Sequence, residues 1–229
     1  MSSQIRKYRL KVRAEKQAAT RQRIVEATAA LHEEVGPAKT TVVEIARRAG
    51  VQRLTVYNNF PTERELFDAC GQHWTNLNPT PDPSAALAIN DPDERLRAVL
   101  GPLFAWYRKH ARAIEHLQRD RMVIPAFDAV MSIRMDQQLA QLADALSSGF
   151  APDGHQAKMV HAAVALALDF WTWRRLANER MSDSDAATVM VGAVRASAHN
   201  TRLASSVDAR QSRPGAGRKK RTGATVDLR

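Results

Sequence analysis

Cysteine is almost missing from this chain of 229 residues. The one present, Cys70, excludes an intrachain disulfide framework and any zinc site built from several cysteines. Long apolar runs are missing too. The longest, about 162–168, falls far short of the ~20 residues that cross a bilayer. The basic start, residues 1–23, leads into no apolar stretch of the kind a signal peptide carries. Alternating strand patterns and Asn-Gly hairpin turns are absent, which argues against sheets. There is no HExxH pair, no serine nucleophile elbow and no glycine-rich phosphate loop. The seven histidines are scattered; His110 with His116, and His155 with His161, stand six apart and so on different helix faces. The expectation is a soluble, cytoplasmic protein with no membrane, metal, cofactor or catalytic role.

What is present is positive charge at the two ends. The net charge is +10. Residues 1–16 contribute +5 and residues 201–229 contribute +6, while the stretch between is nearly neutral. Two basic ends on a neutral body suit a polyanion, which is nucleic acid or an anionic membrane face. Solubility tails are the plainer reading.

Helical spacing dominates the rest. Ala18, Ile24, Ala27, Thr28 and Leu31 mark a first helix that Gly36-Pro37 ends. Thr41-Val42-Val43-Glu44 is a capping box, so a second helix starts at Thr41 and stops at Gly50. A third covers about 53–59 and a fourth about 63–76. Prolines 79, 81 and 83 make 78–90 a linker. Further helices are expected from Asp91-Pro92 to about His110, then over 112–122, 126–148, 155–179 and 184–204. The predicted organisation is a basic flexible arm (1–16), a three-helix unit (17–70), a larger helical domain (71–204) and a basic disordered tail (205–229). The fold class is all-α.

The informative stretch is 40–60, TTVVEIARRAGVQRLTVYNNF. It places Ala46, Gly50 and Val56 at the spacing of a helix-turn-helix. Ala46 is small because the next helix crosses over it, and Gly50 supplies the tight turn. Ile45, Ala49, Val51 and Val56 fix the crossing angle. The second helix of such a unit enters the major groove, and its outward residues here are Gln52, Arg53, Thr55, Tyr57 and Asn58. Arg53 suits guanine and Asn58 adenine, with Gln52 and Thr55 as second choices. Thr41, at a helix N-terminus, and Tyr57 suit phosphate. Arg6, Lys7, Arg9, Lys11 and Arg13 lie along phosphates, enter the minor groove, or add only nonspecific affinity.

The order of first helix, Gly-Pro, TTV-x-x-IA-x-x-AGV and TVY-x-x-FP resembles the TetR family of bacterial one-component transcriptional regulators over about residues 20–67. The resemblance implies an all-helical homodimer with an N-terminal DNA-binding domain and a C-terminal ligand-binding domain. It implies a palindromic double-stranded DNA operator and a bacterial, nucleoid-associated location when bound. Gln52, Leu54 and Glu63 depart from the family pattern, which usually has Ser, a small residue and often Lys there.

In the second half, the 155–179 segment is apolar almost all round, so one side must meet a partner, most simply a second copy. Val164 and Leu168 on it, with Val189 and Ala193 on the next helix, are the expected dimer contacts. A ligand pocket is expected among the helices of 95–180. Its candidate lining residues are Trp74, Phe104, Tyr107, His116, Met131 and Trp173, with Met122, Phe127 and Met135 behind them. Asp169 interrupts an apolar run, either as a paired acid at the dimer seam or as a group orienting a ligand. The expected function is a repressor released by a small apolar or aromatic effector. The alternative is a DNA-binding or architectural protein without ligand control.

Overall fold

The computed structural model describes residues 2–150 and 154–199, and every element among them is helical. Helix α1 is Ser2–Glu34, a single rod about 50 Å long. Expected as a flexible arm, residues 2–16 are part of this helix. Ala14, Glu15, Lys16, Gln17 and Ala18 are strong helix formers, and no glycine or proline precedes Gly36. A short 3-10 turn, Pro37–Lys39, leads to α2, Val42–Ala49. The Thr41 hydroxyl accepts from Glu44 N at 3.2 Å. The Glu44 carboxylate does not complete the box; it accepts from Arg47 Nε at 3.0 Å. Gly50 ends α2 with φ 64, a left-handed conformation. Helix α3 is Arg53–Asn59, and α4 is Glu63–Leu77, capped by Thr62. The core of this unit is Ile24, Leu31, Ile45, Ala46, Ala49 and Val56, each at most 5% exposed.

The linker holds one turn, α5, Ser84–Leu87. Helix α6 then runs unbroken over Pro92–Asp120, where two helices were expected. Nothing between Lys109 and Arg112 breaks a helix, and Pro102 sits inside α6 without ending it. Helix α7, Pro125–Met131, passes through a π-helical turn, Ser132–Asp136, into α8, Gln137–Ser147. The expected 155–179 helix is two: α9, Gly154–Leu168, and α10, Phe170–Asn178. Asp169 separates them and caps α10, accepting from Thr172 N at 2.8 Å. Helix α11 is Asp183–His199. The expected basic tail lies outside the described residues.

Two hydrophobic clusters result. One spans α6, α8, α9, α10 and α11 around Phe104, Leu146, Val164 and Trp173. The other is the core of α1–α4, and α7 joins it through Phe127, Val130 and Met131. By packing, α7 is thus an extension of the N-terminal unit, although the chain reaches it after α6.

Candidate DNA interface and internal cavity

The α2–α3 pair buries Ala46 and Val56 to 3% and 2% exposure, leaving the other side of α3 in solvent. Gln52, Arg53, Tyr57 and Asn58 are exposed, and Thr55 is half-buried. Arg53 and Tyr57 are four apart and share a face; Leu54 and Asn58 share the adjacent one. Leu54 is 64% exposed. Thr41 is exposed at the start of α2. Other cations near the turn are engaged within the fold. Arg48 makes a two-pronged bond to Glu34 at 2.6 and 2.7 Å. Arg21 donates to the Asn59 carbonyl and lies 3.8 Å over the Phe60 ring. Arg23 is exposed on α1, with Nη1 3.7 Å from where a Cβ on Gly50 would stand. Sequence reasoning missed it because no local spacing ties residue 23 to the turn. On the long rod of α1, Arg6, Lys7 and Arg9 are exposed.

A cavity of about 380 Å³ lies where α1 and α4 meet α6, α7 and α8. Trp74, Tyr107 and Met131 line it, as do Phe127 and Met135. Four expected lining residues do not. Phe104 and Trp173 are packed in the body core at 0% and 1% exposure. His116 is spent on the Glu33 carbonyl, to which its Nδ1 donates at 3.1 Å. Asp169 caps α10 and stands outside the cavity wall. Met122, also considered, is 82% exposed. The Tyr107 hydroxyl donates to the Leu168 carbonyl at 2.7 Å, and burial raises its pKa.

His32, Cys70, Trp106 and Arg134 also line the cavity and were not foreseen. His32 sits 3.6 Å from Cys70 Sγ and packs against Phe67 and Phe127. Burial lowers its pKa to about 4, against a smaller upward pull from Asp120, so it is neutral near pH 7. Burial pushes the Cys70 thiol up to about 12, so it is a thiol rather than a thiolate. For His32 and Cys70 the one signal was the phase of α1 and α4, whose apolar faces continue through positions 32 and 70.

The N-terminal unit is tied to α6 by polar contacts. Arg112, His116 and Arg119 donate to the carbonyls of Glu34, Glu33 and Val35, the end of α1. Asp120 is buried and accepts from Ala38 N at 2.9 Å. Burial acts to raise its pKa, but Arg119 and the Ala38 N–H outweigh this and hold it low. Gly36 has φ 93, and a Cβ there would stand 2.3 Å from Asp120 Oδ2.

Two of the expected dimer contacts face inward. Val164 and Leu168 are 0% and 1% exposed within the single chain, on a stripe with Val160 and Ala167. An all-round apolar helix carries no mark of which side is its own core. On α11 Val189 is 45% exposed and Ala193 is exposed; on α9 Met159 is 50% and Leu166 59% exposed.

Residues 24–70 match the model of the tetR family of bacterial regulatory proteins. Over 81 residues the chain is 35% identical to the HTH-type transcriptional regulator BetI of Yersinia pestis (strain Pestoides F). That match takes in 34% of this chain and spans 41% of the relative's length. The fold is similar to a TetR-like transcriptional regulator from Rhodococcus sp. RHA1, with TM-score 0.52 and 22% identity over 77% of this chain and 94% of that one. It is also similar to AibR, solved with isovaleryl coenzyme A and operator DNA, with TM-score 0.53 and 20% identity over 76% of this chain and 96% of that one.

Proposed function

We propose that this chain, whose residues 24–70 match the tetR family model, is a TetR-family, ligand-responsive repressor. It holds a palindromic operator as a homodimer and is released by a small apolar or aromatic effector. One observation carries the ligand reading: the 380 Å³ cavity is walled by α1 and α4 of the DNA-binding unit, with α7 packed on them, on one side and by α6 and α8 on the other. A ligand there touches both parts. It changes DNA affinity by as much as it prefers one arrangement of them. AibR, with an acyl coenzyme A and operator DNA, supports the reading by analogy.

On the DNA side, Arg53, Asn58, Gln52 and Thr55 read base edges, with Leu54 against a thymine methyl. Thr41 and Tyr57 hold phosphate, and Arg6, Lys7 and Arg9 add contacts from the rod of α1. Val189 and Ala193, with Leu166 and Met159, form the face that meets the second copy. The two recognition helices then sit about one helical turn, ~34–36 Å, apart.

The test is fluorescence anisotropy on a duplex selected from random DNA by the protein itself. Arg53→Ala is expected to cost about 1–3 kcal/mol and relax preference at one base pair. Deleting residues 1–13 is expected to weaken all sequences alike and flatten the salt dependence. Apolar metabolites that stabilise the protein should also release the duplex. Stabilisation without release would leave a DNA-binding protein free of ligand control.

A further inference from the structure

Among the described residues, two buried side-chain polar atoms lack a hydrogen-bond partner: Trp106 Nε1 and Arg134 Nε. Both residues line the cavity. Both atoms are N–H donors, and no buried side-chain acceptor stands unpaired beside them. A buried donor without an acceptor is costly and therefore rare, so two of them among the residues lining one cavity mark it as a place where acceptors belong.

Charge narrows the class. Arg134 and Glu33 are the charged side chains on the wall, and Glu33 is exposed to solvent. Arg134 comes from the π-helical turn between α7 and α8, a distortion that recurs at functional sites. It reaches across to α4, where Nη1 donates to Gln72 Oε1 and Nη2 to the Asp68 carbonyl, both at 3.0 Å. The arginine passes close to Gly71, where a Cβ would make ordinary contact with Arg134 Nε and Cδ at 3.6 and 3.7 Å. The Asp68 carboxylate lies 3.6 Å from Nε, too far to satisfy it, and its other oxygen is 4.0 Å from Arg64. Asp68 therefore has a second cation on its own helix to rest against.

We propose that the effector is an amphipathic carboxylic acid whose carboxylate takes Arg134 from Asp68. The apolar part lies among Phe67, Trp74 and Met131, and an oxygen of the ligand meets the Trp106 N–H. Asp68 turns to Arg64, the bridge from the π turn to α4 loosens, and α4 carries the change to α3. This rests on the reading of the cavity as the effector site.

The experiment compares three charge states on each of two skeletons. These are decanoate, decanol and decylammonium, and naphthoate, naphthylmethanol and naphthylmethylammonium. Binding is read by calorimetry and release by anisotropy on the selected duplex. On at least one skeleton the acid is expected to bind about tenfold tighter than its alcohol and its ammonium counterpart, one charge-assisted bond's worth. Arg134→Gln should erase that preference while leaving alcohol affinity in place. Asp68→Asn should widen it by freeing Arg134, a gain that a folding defect cannot imitate and that decides the matter if Arg134→Gln does not fold. An alcohol or ammonium that binds as tightly as the acid overturns the acid class, as does a preference that survives Arg134→Gln. In both cases the effector reading stands. No binding by any of the six removes both.

Discussion

The two cores of this molecule place their aromatic rings differently. Where α1, α2 and α3 cross, the first core is small and aliphatic, with Ile24, Ile45, Ala46, Ala49 and Val56, and its rings Phe67 and Phe127 lie with His32 on the cavity wall. The body core packs Phe104, Tyr107, Phe170 and Trp173 together, at centroid separations of 5.4–6.4 Å, among aliphatic side chains. Small side chains let short helices cross closely and hold a rigid reading surface. The cavity lies at the seam of the two cores, with Phe67 and Phe127 of the first and Trp106 and Tyr107 of the second on its wall. There α7 packs on the first core while remaining tethered to the second. Close crossings thus lie away from the seam, and rings of both cores lie at it.

The comparison breaks first at the body core. Val164→Asp places an unpaired charge at a fully buried site, at a cost of more than about 3 kcal/mol. Soluble folded protein should be lost, as read by circular dichroism. Leu166→Asp, two residues on and 59% exposed, should keep the helical signal. If α9 faces a second copy, its mass by light scattering falls from about twice 25.4 kDa to 25.4 kDa.

The first core carries a titratable group where the second meets it. His32 is neutral when folded, with its pKa lowered from 6.5 to about 4 by burial. Below pH 6.5 the unfolded chain takes up a proton that the folded chain refuses until about pH 4. Stability is therefore full above pH 6.5 and falls as pH drops toward 4, by roughly 3 kcal/mol from this residue. His110, lowered chiefly by burial, slopes the same way. Denaturant melts between pH 7 and pH 4.5 should show the fall, and His32→Gln should flatten it.

The link between the cores is sharper still at Gly36. Its φ of 93 with ψ 159 suits glycine alone, and a Cβ there meets Asp120. Gly36→Ala should cost about 1–3 kcal/mol in thermal melts. If the coupling runs through this junction, effector-driven release of DNA should weaken as well.

How much of this was legible in the sequence follows the same division. Thr41, Ala46, Gly50 and Val56 lie within sixteen consecutive residues, so spacing alone located α2, α3 and the turn between them. The body is held by contacts between residues far apart in the chain, such as Tyr107 with Leu168. Periodicity reports that α9 is apolar but not which stripe faces its own core, so Val164 and Leu168 were placed on the wrong side. The continuity of α6 past His110 went unread because no residue there signals either a break or its absence. Trp74 and Met131 were found as cavity residues through their size and helical phase. His32, Cys70 and Arg134 were not, since only the docking of α7 and the π turn brings them together.

The smallest effect belongs to Asp169, whose character separates the two readings of the body. As the cap of α10 it satisfies the Thr172 N–H, and it stands outside the cavity wall. Asp169→Ala should cost about 1 kcal/mol of stability, the usual worth of an N-cap. Asp169→Asn keeps an oxygen acceptor at the cap and should cost less. Neither should change the affinity for any acid, alcohol or ammonium that the cavity binds, as measured by calorimetry. A selective loss of ligand affinity in Asp169→Asn, with stability kept, would move the binding site from the seam between the cores into the body itself.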